Sequence, residues 1–114
     1  DIGIKTVNKR ASAGNQSTNI ITSQDRCWTP ALIEVMGSSG NSVPGEGTQY
    51  SLFTTISSRI KKVGAAAADW GSRSPYSSYY DLFCAVSAAG AATYNNAYTE
   101  LGVALGLFMI GPTK

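Results

Sequence analysis

The 114-residue chain contains no histidine. That absence removes Ser-His-Asp and Cys-His nucleophilic catalysis, histidine-ligated metals and the usual general base near neutral pH. Charge is also scarce, at 14% of residues, with nine Lys and Arg against seven Asp and Glu. A net charge of +2 does not mark a nucleic-acid partner. The carboxylates (Asp1, Asp25, Glu34, Glu46, Asp69, Asp81 and Glu100) are scattered, and no two have the spacing of an acid–base pair. Two cysteines, Cys27 and Cys84, cannot build a tetrahedral metal site by themselves. "GSSGNSVPGEG" is Gly-rich but lacks the Gly-Lys-Ser/Thr ending of a phosphate loop, and "MGSSG" has no histidine partner to make it a nucleophile elbow. These absences predict a protein that is not an enzyme and has no cofactor, no metal and no small-molecule substrate.

Long hydrophobic runs are missing as well. The longest apolar stretch is Val103 to Ile110, eight residues, whereas a spanning helix needs about 20. Extending it back to Leu82 brings in Asn95, Asn96 and Glu100, so no membrane helix is expected. Bracketed by Gly102 and Gly111-Pro112, the segment 103–110 instead reads as a buried central strand.

What is abundant is small: 12 Gly, 14 Ala and 14 Ser. Surfaces of this kind belong to exported and virion proteins. The chain starts at Asp1 rather than Met, which suggests a mature product whose leader has been removed. In that setting Cys27 and Cys84 are expected to form a disulfide closing a long loop, the alternative being two buried free thiols. Asn15-Gln16-Ser17 is a possible glycosylation sequon, placing Asn15 on the surface.

The periodicities predict a single domain, 1–114, of α+β class, with 1–28 largely an extended or loop arm. One helix is expected over 49–63, where Leu52, Phe53, Ile56, Ile60 and Val63 share an arc and Ser51, Thr54, Thr55, Ser58 and Lys62 lie opposite. A second is expected over 79–101, from apolar and small residues recurring between Phe83 and Leu101. Both would pack on a small, mainly antiparallel sheet of 2–7, 20–23, 31–36 and 103–110. At 31–36, Thr29, Pro30 and Gly37 also describe a short helix, but the alternation of "ALIEVMG" favours a strand. The alternative architecture is mostly α with an extended N-terminal arm. In it 79–110 is one helix, whose Gly102 and Gly106 would suit close helix packing.

The dibasic Lys9-Arg10, the expected Cys27–Cys84 pair, the low charge and the apolar stretches "AVSAAGAA" and "LGVALGLFMIG" together resemble secreted fungal killer-toxin chains. The resemblance implies a compact, disulfide-held α/β sandwich acting on the membrane or ion channels of competing cells. Two expectations of function follow. The first is a secreted, non-enzymatic toxin or effector acting at a target cell surface or membrane, with Arg59, Lys61, Lys62, Tyr79 and Tyr80 as surface contacts. The second is a structural subunit of a virion or extracellular filament, with copies of itself as partners through small-residue helix faces.

Overall fold

The structure is a computed structural model and describes residues 3–11, 19–104 and 106–107. It is predominantly β, which corrects both the two-helix α+β expectation and its mostly α alternative. The strands are β1 (Lys5–Arg10), β2 (Ile20–Asp25), β3 (Cys27–Trp28), β4 (Lys61–Val63), β5 (Ala66–Ala68), β6 (Trp70–Pro75), β7 (Leu82–Val86), β8 (Ala92–Asn96), β9 (Gly102–Val103) and β10 (Gly106–Leu107). Among the described residues helix is confined to α1 (Leu32–Met36), α2 (Ile56–Arg59) and a 3₁₀ turn at Ser51–Phe53.

β2 contains the expected strand 20–23, whereas β1 shares only 5–7 with the expected 2–7 and runs on to Arg10. β1 and β2 form an antiparallel hairpin whose register runs from Lys5↔Asp25 to Arg10↔Ile20. Its inner face contributes Val7 and Arg10 to the interior.

The region expected as a helix over 79–101 is two strands and a turn. β7 pairs antiparallel with β8 from Leu82↔Asn96 to Val86↔Ala92. The chain reverses at Gly90, whose φ of +81° is left-handed and whose Cβ, if present, would lie 2.8 Å from the Ile56 carbonyl oxygen. Only glycine meets both demands at once. β7 is an inner strand, and Cys84, Ala85 and Val86 are all fully buried. A strand buried on both faces shows an apolar run rather than alternation. Flanked by alanines, that run imitates helical spacing.

The region expected as a helix over 49–63 is also broken. The 3₁₀ turn, α2 and β4 follow one another, and β4 folds back on β5 about Gly64, at φ +65°. Of the expected apolar arc only Phe53 is buried; Leu52, Ile56 and Val63 are each more than 60% exposed. The β-branched pair Thr54-Thr55 and the serines after it are poor helix formers, and no long partner face exists to offset them.

Segment 31–36 is the helix α1, not a strand. Its C-terminus is closed by Gly37 at φ +80°, with the Gly37 N–H bonded to the Ile33 carbonyl at 2.9 Å. Segment 103–110 is not a central strand either. β9 is the parallel edge partner of β6, β10 pairs with β3, and Val103 is 69% exposed. The rest of that segment, Leu105 and 108–110, lies outside the described residues. Gly102 and Gly106 therefore sit on two strands and make no helix-packing motif.

The main sheet runs β8-β7-β6-β9. α1 lies against it and buries Leu32 and Val35; the core cluster is Val35, Phe53, Trp70 and Val86, with Met36, Tyr50 and Ala104 packed around it. β6, "WGSRSP", reads as loop yet runs through the interior. Its buried serines are satisfied: Ser72 Oγ donates to the Cys84 carbonyl at 2.7 Å, and Ser74 Oγ accepts from Leu32 N at 2.9 Å.

The two cysteines form no disulfide, which corrects the expected Cys27–Cys84 pair. Cys84 is fully buried in the middle of β7, its thiol directed at the Pro75 carbonyl, while Cys27 is exposed on β3. Burial, with the neighbouring Glu46 carboxylate adding and Arg10 opposing, pushes the Cys84 thiol up to about 12. A thiol-reactive probe should therefore label Cys27 in the native protein and Cys84 only after denaturation. Two equal fast phases, or none, would contradict this placement.

Candidate functional site

Two groupings of polar and aromatic residues stand out, one inside and one outside. The inner one centres on Arg73, which leaves β6 between the two buried serines. Its guanidinium donates to the carbonyls of Asn8 (2.9 Å), Thr29 (3.0 Å) and Glu46 (2.6 Å) and pairs with the Glu34 carboxylate. Glu34 also accepts from Ala31 N at 2.9 Å and from the Tyr50 hydroxyl at 2.6 Å. The Trp28 indole donates to that hydroxyl at 3.0 Å, and Lys5 Nζ lies 4.9 Å and 5.0 Å over the Trp28 and Tyr50 rings. Burial, and after it the bond to Glu34, pushes Tyr50 up to about 12, so it remains a neutral donor. Gly47, at φ +145°, leaves room that a Cβ would take only 2.8 Å from Glu34 Oε2. This network closes on itself and ties β1, α1, β6 and the loop after α1 together. Its geometry is that of a structural clasp.

Beside it Glu46 is 1% exposed. One carboxylate oxygen accepts from Ser42 Oγ at 3.0 Å and the other has no hydrogen-bond partner. Burial raises its pKa above the ordinary 4.5, against the opposing Ser42 bond, the nearby Ser74 hydroxyl and the charges of Arg73 and Arg10. The sign is set by proton binding. Above 4.5 the unfolded chain releases this proton while the native one still holds it, so stability falls as pH rises through the raised value. Glu46→Gln should flatten that fall. Its gain in melting temperature over the parent should be largest near neutral pH and shrink as pH approaches about 4.5, read by thermal melts across that range. A gain that grows toward acid would refute the assignment.

The outer grouping is an aromatic face. Of six tyrosines, five fall between 76 and 98. Tyr79, Tyr80, Tyr94 and Tyr98 are 56%, 64%, 49% and 84% exposed. Tyr76 links two of them: its ring centroid is 5.4 Å from that of Tyr79 and 5.1 Å from that of Tyr94, with interplanar angles of 53° and 75°. Tyr94 stands on β8 opposite Cys84, and Tyr98 lies in the turn after it, its hydroxyl held by Asn96 Nδ2 at 3.1 Å. The 76–81 loop is pinned at three points, Tyr76 N to Leu82 O, Ser77 N to Asn41 O, and Ala97 N to Asp81 O, at 2.8–3.0 Å. The face is thus held in place before any ligand arrives.

The contacts expected from sequence separate into two places. Tyr79 and Tyr80 belong to the aromatic face. Arg59 is occupied inside the molecule, its Nε on the Phe53 carbonyl at 2.8 Å and its Nη1 3.6 Å from Met36 Sδ. Lys61 bonds the Ser58 carbonyl at 3.0 Å and lies over the Phe53 ring, while Lys62 is exposed. Lys61 and Lys62 line a depression of about 80 Å³ with Asp69, Trp70 and Val103, at the Trp70–Val86 end of the sheet. The tyrosines are at the other end, around Leu82 and Asn96. Tyr94 and Tyr98 were missed, although the crowding of tyrosine into 76–98 was visible. Asn15 lies outside the described residues. Among the described residues no three Cys, Asp or Glu side chains come together as a metal site, and no helix is long and apolar enough to cross a membrane.

Fold and site define a small, mostly β domain with an arginine-clasped polar interior and one exposed tyrosine face. A family model described as a domain of unknown function, DUF6273, matches residues 1–108, and the chain belongs to that family. No curated protein and no solved structure matches it.

Proposed function

We propose that this protein is a secreted, non-enzymatic binding module whose tyrosine face engages a component of a target cell surface. The observation that carries the reading is the clustering of four tyrosines, each about half exposed or more, at one end of one sheet. Tyrosine offers a large amphipathic contact with little conformational entropy to lose, and is enriched where proteins bind partners. A monomer has no folding reason to leave so many rings in water together. Labelled protein should bind the surface of susceptible cells. The double variant Tyr79→Ala/Tyr98→Ala should lose at least tenfold in binding with an unchanged melting temperature. Lys62→Ala, at the far end of the sheet, should bind as the parent does. Equal binding by parent and double variant would refute the proposal.

A second reading, self-association, is supported by β8. It is an edge strand of the main sheet, and Ala92–Asn96 carries neither charge nor proline to block pairing with another chain. Among the described residues the small-residue stretches first expected as helix faces for assembly are strands and turns. Light scattering on a size-exclusion column decides this reading, since a monomer at high concentration removes it.

A further inference from the structure

We infer that the ligand of the tyrosine face is a neutral glycan chain, an inference that rests on the binding role proposed above. The first argument is charge. From Ser74 to Ala104 the chain has no Lys or Arg, while Asp81 and Glu100 are exposed within that stretch. The guanidinium of Arg10 reaches the Pro75 carbonyl at 3.1 Å, but from the buried side. From this stretch, phosphate, sulfated chains, nucleic acid and anionic lipid would meet two carboxylates and no cation.

The second argument is the kind of apolar surface. Every large exposed hydrophobic residue between 76 and 100 is a tyrosine; the exposed Ile, Leu and Val side chains, such as Leu52, Ile56 and Val63, belong to other segments. Within this stretch no Met or Arg and no large exposed aliphatic side chain accompanies the rings. Here the rings stand among small, hydroxyl and amide side chains. A sugar ring is built for such a surface. Its C–H faces carry slight positive charge and suit the negative face of an aromatic ring, and its hydroxyl rim suits tyrosine hydroxyls, amides such as Asn96 and a carboxylate such as Asp81.

The third argument is shape. Half-buried Tyr76 packs between Tyr79 and Tyr94 at ring-centroid distances of 5.4 and 5.1 Å, ordinary for touching rings, with planes crossed at 53° and 75°. Crossed rings make ridges and grooves, not a flat platform. They fit a single soluble chain that turns from unit to unit, and not the flat face of a crystalline polysaccharide.

The test is binding of the full chain to immobilised neutral polysaccharides (a mannan, a β-glucan, a galactan and chitin oligomers). Heparin, phosphatidylcholine vesicles and polylysine serve as comparators. We expect saturable binding to at least one neutral polysaccharide, unchanged between about 50 and 500 mM salt because no ion pair is involved. Tyr79→Ala and Tyr94→Ala should each weaken it about tenfold or more. Tyr98→Ala, the most exposed of the set, keeps the test decisive should Tyr94→Ala fail to fold. Binding to none of the neutral polysaccharides would overturn the inference. So would binding confined to heparin, vesicles or polylysine, or neutral-glycan binding that survives every tyrosine change. Periodate-treated cells separate this inference from the broader reading. Binding that resists periodate but is lost in the tyrosine variants would sink the glycan and keep the face. Cell binding indifferent to the tyrosines would sink the face itself.

Discussion

Replacing Arg73 with alanine should cost about 3–5 kcal/mol, the range for removing one member of a buried ion pair. A domain of this size has a net stability of about 5–15 kcal/mol, so the variant should be largely unfolded on mild warming. The Arg73 and Glu34 side chains are only 12% and 5% exposed. Without the guanidinium, Glu34 keeps the Tyr50 hydroxyl and Ala31 N–H but loses its counter-charge in a largely buried site. The carbonyls of Asn8, Thr29 and Glu46 lose a donor together. Arg73→Lys should not rescue. An ammonium is a single point, whereas the planar fork reaches four acceptors on four segments. Paired removal, Arg73→Met with Glu34→Gln, should recover part of the loss, because no uncompensated charge is then buried. Urea denaturation of the four proteins provides the test. An Arg73→Ala midpoint within about 0.5 kcal/mol of the parent would show that the clasp is ornamental.

The clasp also explains why the interior was hard to read from sequence. "WGSRSP" has the composition of a loop, with Gly71, Pro75 and two serines around an arginine. It runs as a strand because its polar groups find partners across the chain: Ser74 with Leu32, Ser72 with Cys84, and Arg73 with residues up to 65 positions away. No local window contains those partners. The N-terminal hairpin was legible because its β-branched residues alternate and its pairing is nearly local. β7 was not, because burial on both faces removes alternation, and alanine and glycine fit helices and tight β-turns equally well by size. The basic cluster was visible, but not its use. Arg59 spends its guanidinium on the Phe53 carbonyl and Lys61 covers the Phe53 ring, so two of three expected contacts are engaged within the molecule. On the aromatic face Tyr79 and Tyr80 were expected as surface contacts. Tyr94 and Tyr98 join them only because β7 and β8 form a hairpin where a single helix was expected.

Trp70→Ala should be the other severe change, again about 3–5 kcal/mol, here through a core cavity. Trp70 is 1% exposed and sits on the first paired position of β6, with Val86 on one side and Gly102 on the other. Its ring lies 6.0 Å from that of Phe53, in the same cluster as Val35, and its indole N–H donates to the Arg59 carbonyl at 2.8 Å. Truncation empties the centre of that cluster and leaves the carbonyl without its donor. Trp70→Phe keeps most of the apolar volume and should lose only about 1–2 kcal/mol, mainly the hydrogen bond. Ile56→Ala is the control. A helix over 49–63 would make Ile56 a core residue costing about 2–5 kcal/mol, whereas a side chain 63% exposed should cost under about 0.5. Similar urea midpoints for Trp70→Ala and Ile56→Ala would restore the helical arrangement and remove the β one. Trp70 also separates stability from recognition, because it lies at the opposite end of the sheet from the tyrosines. Trp70→Phe should therefore melt earlier yet bind with the parent's affinity while folded, and Tyr79→Ala should melt with the parent and bind weakly. A binding loss in Trp70→Phe at temperatures where it is fully folded would place the binding surface at the basic end of the sheet instead.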